Sequence, residues 1–160
     1  MSHNKDEREL LNNSCFNLQF RRDIRRERPG QPAYFRWVVQ FVLLEEIEFL
    51  KKIKIALGCG RIYEDNKNQA RFVVQDIDSL YKIVIPFLSD YKLSEKRKKD
   101  FFLWKQAVKL LYKNKGKITR KWKKKDFQKI MEIQKKIQGY KLKPKSAKWL
   151  SEADLITKNR

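Results

Sequence analysis

Side chains able to ligate a metal or act as a nucleophile are sparse in this chain. It has one histidine, His3, and two cysteines, Cys15 and Cys59. Two isolated thiols make neither a disulfide framework nor a zinc module, which needs about four Cys or His ligands. His3 lies in a polar N-terminus and reads as neither ligand nor catalyst. What the chain has in abundance is cations: 39 Lys+Arg against 19 Asp+Glu, a formal net charge of +20 over 160 residues. Solubility asks for a net charge of only about 2 to 8 in a small domain. A larger excess repels itself in a compact state. A polyanionic partner relieves that repulsion, because each neutralised phosphate releases condensed counterions. The chemistry on offer is therefore phosphate binding, and the expected partner is nucleic acid.

The cations are grouped. Arg21, Arg22, Arg25, Arg26 and Arg28 crowd one short segment of a chain otherwise rich in lysine. Arginine offers planar bidentate donors and stacks on bases, so this segment is expected to touch nucleic acid, against the plainer reading of a solvated turn. Residues 113–125 contain Lys113, Lys115, Lys117, Arg120, Lys121, Lys123, Lys124 and Lys125 and no acid. Such a run favours a phosphate backbone alongside it. Trp122 inside it could stack on an unpaired base or anchor the core. Lys141, Lys143, Lys145 and Lys148 extend the footprint into a polar tail that also carries Trp149.

The elements that position these groups follow from hydropathy periods. Residues 15–24 alternate, with Phe16, Leu18 and Phe20 on one face and Asn17, Gln19 and Arg21 on the other, a half-buried strand. Pro29-Gly30 punctuates a turn, and residues 33–43 form a second strand with Phe35, Trp37, Val39 and Phe41 on one face. A helix over 45–57 stops at Gly58. Strands over 60–64 and 70–75 flank Asp65-Asn66-Lys67-Asn68, which is turn chemistry. A short helix runs from about Asp76 or Asp78 to Val84, where Pro86 is expected to end it. Ser94 caps a helix reaching Tyr112, and a last helix spans 120–138 up to Gly139. The order predicts an α+β fold, an antiparallel sheet covered on one face by helices. Its other face would carry Asn17, Gln19, Arg21, Arg36, Gln40, Arg61 and Arg71, a polar and basic surface suited to a duplex. No apolar run approaches the roughly 20 residues of a membrane span. The N-terminus is acidic and lacks the apolar core of a signal peptide, so an intracellular protein is expected. The excess of Lys, Ile, Asn and Tyr follows AT-rich coding and points to an organelle, such as the mitochondrion, or a reduced genome.

Three stretches in this order resemble the LAGLIDADG homing endonucleases: 57–63 (LGCGRIY), 83–88 (IVIPFL), and Lys98-Lys99-Asp100-Phe101 with Trp104 and Ala107-Val108. The similar region runs from Cys15 to Gln138, leaving a degenerate segment over 1–14 and a basic tail over 139–160. The resemblance implies a fold that grips double-stranded DNA. It also implies a signature helix whose terminal acid holds Mg²⁺ and whose small residues let two such helices pack together. Counted back from the strand at Cys15, that signature falls on residues 6–14. Asn13 takes the acid's place, Arg8 that of a small residue, and Ser14 that of a glycine. An amide supplies no charge to a hard cation, and Arg8 blocks the helix seam, so metal binding and symmetric homodimerisation are both expected to be lost. Asp65, Asp76 and Asp78 do not fall where the resemblance puts the scissile phosphate. The family's basic active-site position falls near Lys96, Arg97 and Lys98, and is retained for phosphate contact.

The sequence thus predicts a non-catalytic protein with no cofactor that binds structured RNA, as a ribosomal or other RNP subunit or a splicing maturase. Two alternatives stand beside it: an active homing endonuclease, which would need Mg²⁺, and a DNA-binding repressor on the same scaffold.

Overall fold

Residues 14–31, 33–64, 69–90 and 93–138 are described by a computed structural model. β1 (Ser14–Arg22) and β2 (Phe35–Glu45) pair antiparallel from Ser14↔Leu43 to Arg22↔Phe35. Their alternation is what pins the register: a slip of one residue would turn every aromatic out to solvent. After β2 the chain forms α1 (Ile47–Leu57), then the edge strand β3 (Arg61–Glu64) and β4 (Ala70–Val74). β4 returns between β3 and β2, so the sheet order is β1-β2-β4-β3. Gly58 ends α1 at φ 74, its N–H bonded to the Lys54 carbonyl. Gly60 sits at φ 94, and a Cβ there would run into the Phe72 ring, so both the backbone and the space call for glycine.

α2 is one helix of three geometries: α over Ile77–Ser79, π over Leu80–Val84, α again over Ile85–Ser89. It therefore passes through Pro86, where the sequence predicted an end. The Ile85 N–H bonds to the Leu80 carbonyl five residues back. That wide turn leaves Pro86 in the first turn of the returning α segment, where a missing N–H is tolerated. α3 (Glu95–Lys113) begins at Ser94, whose side chain accepts from the Arg97 N–H. α4 (Lys124–Gln138) starts later than predicted. Residues Thr119–Lys121 instead make a 3-10 turn, held by Thr119 Oγ1 donating to the Phe35 carbonyl at 2.6 Å.

The helices bury one face of the sheet. Phe20 stacks on Phe35 at 5.3 Å and meets Trp37 and the edge of Phe127. Trp104 is fully buried, and its indole N–H donates to the Gln40 carbonyl at 3.1 Å, tying α3 to β2. At about 25 cal/mol per Å² of apolar surface removed from water, these rings carry much of the stability. Among the described residues no helix is long and apolar enough to cross a membrane. The α+β sheet-and-helix architecture is the one the sequence predicted.

Candidate nucleic-acid interface

The opposite face of the sheet has no helix on it among the described residues. Cross-strand register sets its side chains in rows. Arg21 lies opposite Arg36, Gln19 opposite Val38, and Asn17 opposite Gln40. Cys15, Val42, Val73 and Arg61 form one row across all four strands, and Leu44, Arg71 and Tyr63 another. Gln40 donates to Gln75 at 2.8 Å, and the Arg71 guanidinium lies 5.0 Å from the Tyr63 ring centroid. The arginines occupy the two ends and the amides the middle. β2 has 11 residues. At about 3.3 Å per residue it runs roughly 36 Å, close to one turn of a duplex.

The hairpin tip differs from the predicted strand end. Asp23 turns inward, its N–H bonded to the Tyr34 carbonyl at 2.8 Å, and a 3-10 turn over Ile24–Arg26 follows. The Asp23 carboxylate is 7% exposed and faces Arg25, Arg26 and Arg36 at 3.7, 3.7 and 3.2 Å. One acid thereby gathers three guanidiniums. Arg22 is apart from them. It lies on the helix-facing side of β1, paired through both its Nε and Nη2 with Glu27. The hydrogen bond from Arg22 holds the Glu27 carboxyl below the usual range. Arg28 is exposed at the tip.

The connector places Arg120, Lys121, Lys123, Lys124 and Lys125 on the surface, at the same end as the hairpin tip through the Thr119–Phe35 bond. Of the two roles the sequence left open for Trp122, its burial matches the core anchor and corrects its placement among the nucleic-acid contacts. It is 5% exposed and packs edge-on against Phe127 in α4, whereas Ile118 of the same run stays 42% exposed.

Lys96, Arg97 and Lys98 open α3 at the other end of β1. Arg97 Nη1 donates to the Ser14 carbonyl at 2.9 Å, and Lys98 pairs with Glu95 at 3.4 Å. Asn13 and Arg8 lie outside the described residues, as do Asp65 and the tail with Trp149 and its lysines. Next to Ser14, which follows the position the resemblance gives the signature acid, lies a cleft whose described lining includes Ser14, Cys15, Lys96, Arg97 and Asp100. Among the described residues that donor set does not fit a hard divalent cation. It offers one carboxylate against two fixed positive charges, whereas such sites gather several anionic oxygens.

Sequence reasoning missed four things here. Asp100 reaches the cleft because α3 brings its first turns against the start of β1. Tyr63 and Gln75 join the open face, and the two-residue period of β3 and β4 carried that signal. Val42, Val73 and Leu44 extend Val38 into an apolar stripe between the polar groups of the face.

The LAGLIDADG endonuclease family profile matches residues 13–108. No curated protein matches the sequence. Among solved structures, the homing endonuclease I-TnaI superposes with a TM-score of 0.67 at 17% identity, covering 92% of each chain. The archaeal intron-encoded homing endonuclease I-Vdi141I, complexed with DNA, gives 0.72 at 19%, covering 94% of this chain and 90% of that one. The meganuclease I-AabMI, bound to uncleaved DNA, gives 0.58 at 25%, covering 76% of this chain and 39% of that one; this chain matches less than half of its length. With the profile matched over more than half its residues, and the sheet and helices arranged as in these enzymes, the chain belongs to the LAGLIDADG endonuclease family.

Proposed function

We propose that the protein binds nucleic acid across its open sheet face without cutting it, with structured RNA as its ligand, as a ribosomal or other RNP subunit or a splicing maturase in an organelle. The observation that carries the reading is the sheet face on which no described helix lies, with Arg21, Arg36, Arg61 and Arg71 at its ends and Asn17, Gln19, Gln40 and Gln75 between. Cations and amides over one duplex turn provide phosphate contacts for position and side-chain donors for base edges. RNA is favoured because the basic footprint leaves the face. It continues round the hairpin tip and along the connector, where a straight duplex does not reach and a folded RNA does. Loss of cutting rests on Asn13 at the position of the signature acid and on the poor metal donors beside Ser14. Arg8 in the signature stretch argues for a monomer.

A second reading, an active homing endonuclease, draws on the near-complete superposition with I-TnaI and I-Vdi141I. A B-form major groove, unlike an A-form one, also admits a β-ribbon. One experiment separates them. The protein is titrated against structured RNA and duplex DNA at fixed salt, with and without Mg²⁺. The proposed function predicts tighter RNA binding and intact DNA. Mg²⁺-dependent double-strand cleavage would overturn it.

A further inference from the structure

The hairpin tip and the connector enclose a cleft of 410 Å³ that the open face does not use. Its wall is fixed where Thr119 Oγ1 meets the Phe35 carbonyl. The lining combines two chemistries. Tyr34 is a half-buried aromatic ring, and Ile118 stays 42% exposed. Around them stand the guanidiniums of Arg26, Arg28 and Arg120, and none of the described lining residues is an acid. Arg26 sits 5.7 Å from the Tyr34 ring centroid, with Nη1 3.5 Å from Tyr34 Oη.

An apolar and aromatic surface ringed by arginines suits a flat ring that carries an anion. Small-ligand sites run from roughly 300 to 1,000 Å³, and this cleft lies at the small end, the size of a single nucleotide. A base paired inside a duplex cannot enter it, whereas one at a bulge or an end can be splayed out onto an aromatic surface. The cleft also adjoins the interface. Arg26, which lines it, and Arg36, on the open face, approach the same oxygen of Asp23, at 3.7 and 3.2 Å.

We infer that this cleft holds one unpaired nucleotide of the nucleic acid gripped by the open face, its base against Tyr34 and Ile118 and its phosphate on Arg26, Arg28 and Arg120. The inference rests on the open-face reading, and the test keeps the two apart. Two ligands are compared, each made as RNA and as DNA: a blunt duplex of about 10 base pairs, one helical turn, and the same duplex ending in one unpaired 2-aminopurine. Anisotropy gives the affinities and 2-aminopurine fluorescence reports stacking. Stacking on one aromatic predicts that the overhang tightens binding about 5- to 140-fold, with quenching. Within each variant the ratio of overhang to blunt affinity is the readout. Tyr34→Phe keeps the ratio, Tyr34→Ala abolishes it, and the exposed change Ile118→Asp abolishes it independently should Tyr34→Ala fail to fold. Blunt binding with a ratio near one overturns the inference and leaves the open-face reading standing. Failure of both duplexes to bind overturns both. Free 2-aminopurine riboside monophosphate binding as tightly as the overhang, with a ratio near one, marks a free-nucleotide site and also overturns the inference.

Discussion

Replacing Arg61 and Arg71 together by alanine strips the cations from the β3–β4 end of the open face. Both are exposed. Arg71 touches the Tyr63 ring and Arg61 faces solvent beside Val73, so the fold should change by no more than about 0.5 kcal/mol. The effect on binding is larger. Each phosphate neutralised on a B-form duplex contributes about 0.9 to the slope of log K against log salt, so the double variant should flatten that slope by about 1.8. Between 50 and 200 mM salt it should accordingly lose about 12-fold less affinity than the parent does. The assay is anisotropy on one labelled duplex across a KCl series. The control pair is Lys52→Ala with Lys54→Ala, exposed on α1 behind the core, which should leave the slope alone. Equal flattening by both pairs would mean that the net charge acts as a diffuse field with no located interface. No flattening by the arginine pair would remove the face from the account.

Three further outcomes follow from the packing. Trp122→Ala should cost about 3–5 kcal/mol in denaturant unfolding, the usual range for a buried tryptophan, with an unchanged salt slope; a stable variant with weakened binding would restore its stacking role. Gly60→Ala should destabilise by about 1–3 kcal/mol, since the new Cβ meets the Phe72 ring at positive φ; a neutral result would mean that β3 shifts freely. Asp126 is nearly buried at the start of α4, and burial pushes its carboxyl up, but hydrogen bonds from Asn114 and Lys113 outweigh this and hold it below the ordinary value. A depressed carboxyl stabilises above the unfolded value of about 3.9 and loses that contribution as pH falls through the folded one. Asn114→Ala should therefore weaken the protein at neutral pH and narrow the gap at lower pH in urea melts; a pH-independent difference would exclude the linkage.

Much of this fold could be read from β1 and β2, whose two-residue period places Phe16, Leu18, Phe20, Phe35, Trp37, Val39 and Phe41 on one side and so specifies both the hairpin and the covered face. Gly58 and Ser94 marked helix ends by backbone chemistry that is local. What escaped was set by contacts between distant segments. Pro86 signals a stop unless the preceding turn widens to π geometry. The late start of α4 depends on Thr119 reaching Phe35, 84 residues away. Trp122 looked available because its neighbours are lysines, yet Phe127 and the core claim it. At the site, Arg21, Arg36, Arg61 and Arg71 were legible from period two. The pairing that withdraws Arg22 and the carboxylate that gathers Arg25, Arg26 and Arg36 were not, because both require the tip to fold back in a 3-10 turn. The cleft beside Tyr34 joins two segments that no local pattern connects.

Ultraviolet cross-linking of the protein to a bound structured RNA, with the adducts mapped by mass spectrometry, tests the open face most directly. The account predicts adducts on peptides carrying Arg21, Arg36, Tyr63 and Arg71, with further ones at the hairpin tip. Adducts confined to α1 and the outward side of α3, with the sheet face unmarked, would contradict it.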